Sequence, residues 1–126
     1  MTQSPQKPLA LIVEDDLSLM KIFQTCVTLA GFEAVIADDG AKALDVLTEL
    51  VPDLFILDLH IPIYSGDEVL KYIKKDSRFD TSRIIIASAD ARMADQLRDQ
   101  VDFTIDKPVS ARQLTKLVQR LVPTAN

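Results

Sequence analysis

Five short apolar runs, each followed by a segment of helical periodicity, constrain the fold of this chain more than any other feature. Leu9–Glu14, Glu33–Ala37, Asp53–Asp58 and Arg83–Ser88 are rich in Ile, Leu and Val. Most of them are nearly continuous apolar stretches, as strands covered on both faces should be. The fifth run alternates Val101, Phe103 and Ile105 with Asp102, Thr104 and Asp106, the pattern of an edge strand with one wet face. Leu17–Ala30 carries Leu19, Met20, Phe23, Cys26, Val27 and Ala30 along one stripe, and Ala41–Val51 repeats Leu44, Leu47 and Val51 at steps of three and four. Ser65 with Glu68 reads as a capping box for a helix burying Val69, Leu70 and Ile73. Ser110 with Gln113 repeats the device before Leu114, Leu117, Val118 and Leu121. Ala91–Gln100 is the weakest helix, with Met93 and Leu97 as its anchors.

Strands and helices in strict alternation, with short connections, predict an α/β fold of (βα)5 type. Right-handed crossovers then place helices on both faces of a doubly wound, five-stranded parallel sheet. The expected strand order is 2-1-3-4-5, the flavodoxin-like arrangement, with the first two units wound in opposite senses around strand 1. A single domain should span residues 9–122, with 1–8 and 123–126 as flexible tails; 126 residues suit one domain.

A net charge of −5 without a dense Lys/Arg stripe argues against nucleic acid and for a protein partner or a cation. Cys26 is the only cysteine, which excludes an intrachain disulfide or a thiolate zinc site; it reads as a small buried hydrophobe. No stretch has the length of a signal peptide or a membrane span. The expected setting is the cytoplasm, with no membrane insertion.

Ligands of open α/β sheets bind at the carboxyl ends of the strands. Here those ends deliver Glu14, Asp15 and Asp16, then Asp58, Ser88, and Lys107 followed by Pro108. Glu14, Asp15 and Asp58 bring three negative charges and Lys107 one positive, a set that one divalent cation balances. Carboxylate oxygens with room for water suit Mg²⁺, with Mn²⁺ as a substitute. Without the metal, at least one carboxylate should be hard to ionise. Mg²⁺, a carboxylate, a hydroxyl and an ammonium are together the requirements of phosphoryl transfer to an aspartate, with Asp58 as nucleophile. Each element has a plainer explanation alone: acids before a helix suit its dipole, and Ser88 or Lys107-Pro108 could simply end a strand. The joint placement on four strand ends favours the chemical reading.

These residues resemble the receiver domain of bacterial two-component response regulators, most nearly the stand-alone type. The resemblance covers about residues 9–122. It rests on Glu14-Asp15-Asp16, on Asp58-Leu-His-Ile-Pro62-Ile-Tyr-Ser-Gly66, on Ser88-Ala89 and on Lys107-Pro108. It implies that Glu14 and Asp15 hold Mg²⁺ together with Asp58 and the backbone carbonyl of His60. By the same resemblance Asp58 accepts a phosphoryl group from a sensor histidine kinase or phosphotransfer protein, with Ser88 and Lys107 contacting the phosphoryl oxygens. It also implies a cis Lys107–Pro108 peptide and a signalling switch rather than an enzyme with a separate substrate. The output would be altered contact with a downstream protein, or a homodimer, at the fourth helix, fifth strand and fifth helix.

Three positions depart from the family pattern or stand outside it. Thr104 occupies the place of the usual Tyr or Phe, while Phe103 should point to the opposite face. Val109 follows Lys-Pro where an aromatic is common. His60, the sole histidine, reads as a solvated loop residue or as an imidazole overhanging the site beside Asp90. Asp16 is expected at the rim and Asp106 facing away. The competing functions are a receiver-like interaction module independent of phosphorylation and an aspartate-nucleophile phosphatase of the haloacid dehalogenase type. In the latter family the motif order is reversed and a cap domain is normal.

Overall fold

The computed structural model describes residues 7–123, and most of the tails expected at the two ends lie outside them. Five parallel strands form one sheet in the order β2-β1-β3-β4-β5. They are β1 (Leu9–Val13), β2 (Glu33–Ala37), β3 (Leu54–Leu57), β4 (Arg83–Ser88) and β5 (Phe103–Asp106). The helices are α1 (Leu17–Leu29), α2 (Gly40–Leu47), α3 (Gly66–Lys75), α4 (Ala91–Leu97) and α5 (Ala111–Arg120). Short 3-10 turns follow α3 at Ser77–Phe79 and α4 at Arg98–Gln100. Both the (βα)5 reading and the strand order hold.

The pleat of the central strands divides their side chains between two cores. Leu11, Val13, Phe55, Leu57, Ile84 and Ile86 pack with α2, α3 and Ala94 of α4, while Ala10, Ile12, Leu54, Ile56, Ile85 and Ala87 pack with α1 and α5. Central β1 and β3 are buried almost throughout, whereas β2 and β5 are half-exposed edges. The apolar stripe of α1 behaves as its spacing requires: Met20, Phe23, Cys26 and Val27 are buried, with Leu19 and Ala30 partly so. Cys26 lies in this core, as its context predicts.

Four local expectations need correction. Val51 is exposed, because α2 ends at Leu47 and the residue before Pro52 is pushed out of helical geometry. Ser65 does not close a capping box; its hydroxyl turns instead to the Asp67 carboxylate. The fifth strand begins at Phe103 rather than Val101. Asp102 sits just ahead of it, its carboxylate accepting the Ile84 N–H at 2.7 Å and meeting Arg83 at 3.2 Å. Val101 therefore packs toward the α2–α3 core while Ile105 packs toward α1 and α5. At the amino end, the Pro8 carbonyl accepts the Glu33 N–H at 2.7 Å, so the ordered sheet reaches into the expected tail.

The connection from β3 to α3 is the most constrained loop. Gly40 N–H donates to the Pro62 carbonyl at 3.1 Å, and a Cβ at Gly40 would collide with the Tyr64 backbone and Cβ. Between these contacts Ile63 is held at φ 74° with its side chain 70% exposed. A β-branched residue in this left-handed region is strained, and neighbouring contacts must hold it there. Ile63→Asn should therefore raise stability by about 1 kcal/mol, read as a higher urea midpoint at unchanged slope.

Candidate functional site

Backbone ladder bonds carry the site residues one step past their strands. Glu14 N–H donates to the Ala37 carbonyl at 3.1 Å, Asp58 N–H to Val13 at 3.0 Å, and Lys107 N–H to Ser88 at 3.1 Å. The parallel sheet thus fixes all three at one edge before any side-chain interaction is counted. Glu14, Asp58 and Ser88 are the buried polar or charged residues of the described chain. Asp15 is exposed.

Carboxylate oxygens of Glu14, Asp15 and Asp58 lie within 4.8 Å of one another. The Lys107 ammonium enters this cluster, 2.9 Å from Glu14 Oε1 and 3.0 Å from Asp58 Oδ2. Only the approach to Asp58 has hydrogen-bond geometry. Glu14 Oε1 is buried and, although the ammonium is close, has no hydrogen-bond partner. Its other oxygen accepts the Asp16 N–H at 3.1 Å, and Asp58 Oδ1 accepts the His60 N–H at 3.3 Å. Sequence reasoning brought Glu14, Asp15, Asp58, Ser88 and Lys107 to this edge, and all five are found at it.

Burial pushes the Glu14 carboxyl above its ordinary value, and the Asp58 charge adds to this against the pull of Lys107 and the Asp16 N–H. Burial opposes the Lys107 ammonium too, but Glu14 and Asp58 outweigh it and hold its pKa above that of a free lysine. For Glu14 the folded state keeps its proton to higher pH than the unfolded chain does. Metal-free stability is therefore greatest below the ordinary glutamate value of 4.5 as far as this group is concerned, and falls as pH rises through the raised one. Asp38, Asp76 and Asp90 are shifted down from 3.8 and the Lys107 window lies above 10.5, so neither overlaps it. Glu14→Gln should remove this component. Urea unfolding in chelator, followed upward in pH from the ordinary glutamate value of 4.5, should show a steeper loss in the parent chain than in the variant.

Around the acids the loops are tightly built. The Ser88 hydroxyl accepts the Asp90 N–H at 3.0 Å. Asp16 caps α1 by accepting the Leu19 N–H at 2.9 Å, which accounts for its place at the rim. His60 has an exposed side chain, yet its Nε2 lies 3.0 Å from Asp90 Oδ2, so it is paired rather than merely solvated. Lys107–Pro108 is cis. Thr104 pairs in register with Ile86 and Phe103 with Ile85, which places them on opposite faces as alternation requires; Val109 packs toward α1 and α5. Asp106 is exposed.

Two glycines with no assigned role in the sequence reading shape the site. A Cβ on Gly66 would overlap the Asp58 carbonyl oxygen and stand 2.6 Å from Leu59 Cα. Gly40 supports the same loop from the other side, through Pro62 and Tyr64. The available signal was that each glycine directly follows a capping residue, Ser65 or Asp39.

Comparison with known proteins agrees with this geometry. Residues 10–119 match the response regulator receiver domain family. The polar-differentiation response regulator DivK of Brucella anthropi is 31% identical over 112 residues, covering 86% of this chain and 91% of that protein. A CheY-like response regulator receiver domain from Methylobacillus flagellatus superposes with a TM-score of 0.80 at 25% identity, covering 92% of this chain and 99% of the other. The chemotaxis response regulator CheY4 of Vibrio cholerae shares the fold, with a TM-score of 0.83 at 22% identity over 93% of this chain and all of that one (100%). A sheet edge that gathers acids, a hydroxyl and a lysine in this order, on a chain matched along nearly its whole length, places the protein in the response regulator receiver domain family.

Proposed function

We propose that this chain is a phosphorylation-dependent switch in which Asp58 accepts a phosphoryl group from a sensor histidine kinase or phosphotransfer protein. The observation that carries the proposal is the setting of Asp58. It is a carboxylate only 4% exposed, bound to the Lys107 ammonium at 3.0 Å and grouped with two further acids. A carboxylate oxygen of Asp58 attacks phosphorus, the bond from phosphorus to the donor nitrogen breaks, and its electron pair stays on the donor imidazole. Lys107 balances charge on the transferred group, and the Ser88 hydroxyl, whose oxygen already accepts from Asp90, has its own proton to donate. Sequestered behind the strand ends, these groups act in a low dielectric where each is worth more than in water.

The residues fit a divalent cation. Three carboxylates converge within 4.8 Å with a single ammonium among them, and the donors are all hard oxygens. Glu14, Asp15, Asp58 and the His60 carbonyl would hold Mg²⁺, with Mn²⁺ as a substitute. When bound, the ion offsets the charge that accumulates on the phosphoryl oxygens. The protein would act in the cytoplasm; no described helix is long and apolar enough to cross a membrane. Phosphorylation would alter contacts of α4, β5 and α5 with a downstream protein or a second copy of the chain, with no separate substrate turned over. Thr104, small and half-buried on the face of β5 opposite Phe103, is the one feature favouring a phosphorylation-independent module instead.

Incubation with acetyl phosphate and Mg²⁺ should add one phosphoryl mass to the intact protein, and chelation should prevent it. No gain in mass at saturating donor would overturn the proposal. Partner affinity that is the same with and without the modification would favour the phosphorylation-independent reading.

A further inference from the structure

Asp90 joins two parts of the molecule that are far apart in sequence, the loop after β3 and the turn from β4 into α4. Its Oδ2 meets His60 Nε2 at 3.0 Å, its Oδ1 accepts the Met93 N–H at 3.0 Å, and its own N–H donates to Ser88 Oγ at 3.0 Å. His60 in turn donates its backbone N–H to Asp58 Oδ1 at 3.3 Å. One carboxylate therefore ties the loop carrying Asp58 to the first turn of α4. That helix has little else to hold it: Ala94 is its buried residue, Met93 and Leu97 pack only partly, and a 3-10 turn follows within seven residues. A helix with so few core contacts depends strongly on its cap and lies at the low-stability end of the fold.

We propose that the His60–Asp90 pair is a latch holding the first turn of α4 to the Asp58 loop, and that a phosphoryl group on Asp58 opens it. The opening step rests on the phosphoacceptor reading above; the tie itself does not. A phosphoryl group places new acceptor oxygens and negative charge beside the His60 backbone. Those oxygens compete with Asp90 for the imidazole N–H, and their charge repels the Asp90 carboxylate. The imidazole exchanges one acceptor for another, no covalent bond or proton is transferred, and the cap of α4 loses the partner that oriented it. The consequence is a looser first turn at the edge of the face through which the switch would signal.

Amide hydrogen exchange by NMR on the full chain tests this directly at Met93 and Ala94, whose N–H groups bond to Asp90 side-chain and backbone oxygens. Without phosphoryl donor, His60→Ala should speed exchange at both amides roughly two- to fivefold, the scale of an exposed ion pair. Asp90→Asn keeps an oxygen able to cap the helix but loses the charge that holds the imidazole. It should change exchange in the same direction by a smaller factor. Acetyl phosphate with Mg²⁺ should produce the His60→Ala pattern in the parent chain and little further change in that variant. Exchange equal in His60→Ala and parent without donor would overturn the latch, and an undiminished response of α4 in phosphorylated His60→Ala would overturn its opening. Intact mass read on the same samples separates the readings. A parent chain that takes up no phosphoryl group removes the opening step with the phosphoacceptor reading, while the donor-free comparison still decides the tie.

Discussion

Asp58→Asn should abolish phosphoryl incorporation from acetyl phosphate, leaving no added mass under conditions that label the parent chain fully. The amide replaces the nucleophilic carboxylate oxygen while keeping shape and, through its carbonyl, an acceptor for the His60 N–H that Asp58 Oδ1 now binds at 3.3 Å. The fold should survive. Lys107 keeps Glu14 as a charged neighbour at 2.9 Å, and the charge on Asp58 that helps push the Glu14 carboxyl up is gone. Loss of one attraction and relief of one repulsion should leave stability within about 1 kcal/mol of the parent, checked by urea unfolding in chelator. The two readouts together are decisive. Labelling that persists in a folded Asp58→Asn chain would move the acceptor to another residue, with Glu14 and Asp15 as the further carboxylates of the cluster.

The parts of this molecule legible in its sequence are those set by backbone periodicity. Continuous apolar runs located β1, β3 and β4 because burial on both faces leaves little room for polar residues. Strand ends located Glu14, Asp58, Ser88 and Lys107 because a parallel sheet aligns its carboxyl ends whatever the side chains are. Illegible were the features decided by contacts between distant segments. Val51 continues the apolar spacing of α2, but Pro52 overrules it locally. Val101 continues the alternation of β5, yet the Asp102 carboxylate takes the Ile84 N–H and delays the strand. Ser65 has the chemistry of a capping residue, and the nearer Asp67 carboxylate wins its hydroxyl. The sequence could set His60 beside Asp90 at the site, but the hydrogen bond between them joins loops thirty residues apart, and no local pattern announces it. The close approaches at Gly40 and Gly66 belong to the same class, since a missing side chain says nothing about which backbone will fill its place.

Gly66→Ala should destabilise the fold by about 3 kcal/mol, the upper part of the range for overpacking, and should slow phosphorylation beyond what that loss explains. The added methyl has no flexible neighbour to displace: it meets the Asp58 carbonyl, its carbon and Leu59 Cα, all backbone. Accommodating it means moving α3 away from the loop or moving the Asp58–Leu59 peptide itself. Gly66 N–H also donates to the Leu59 carbonyl at 2.9 Å, so the helix and the loop are bonded where they would have to part. Gly40→Ala supplies the control. Its methyl would collide with Tyr64, at the far end of the same loop, and should cost stability of similar size. In that variant the strand-end position of Asp58, fixed by its N–H bond to the Val13 carbonyl at 3.0 Å, is not the point of collision. At denaturant-free conditions where both variants are folded, the initial rate of labelling by acetyl phosphate should therefore fall by at least about tenfold in Gly66→Ala, as a reactant displaced by about an ångström predicts. It should fall much less in Gly40→Ala. Equal rates in the two would mean that the glycines only support the fold and that the placement of Asp58 does not depend on the close approach of α3.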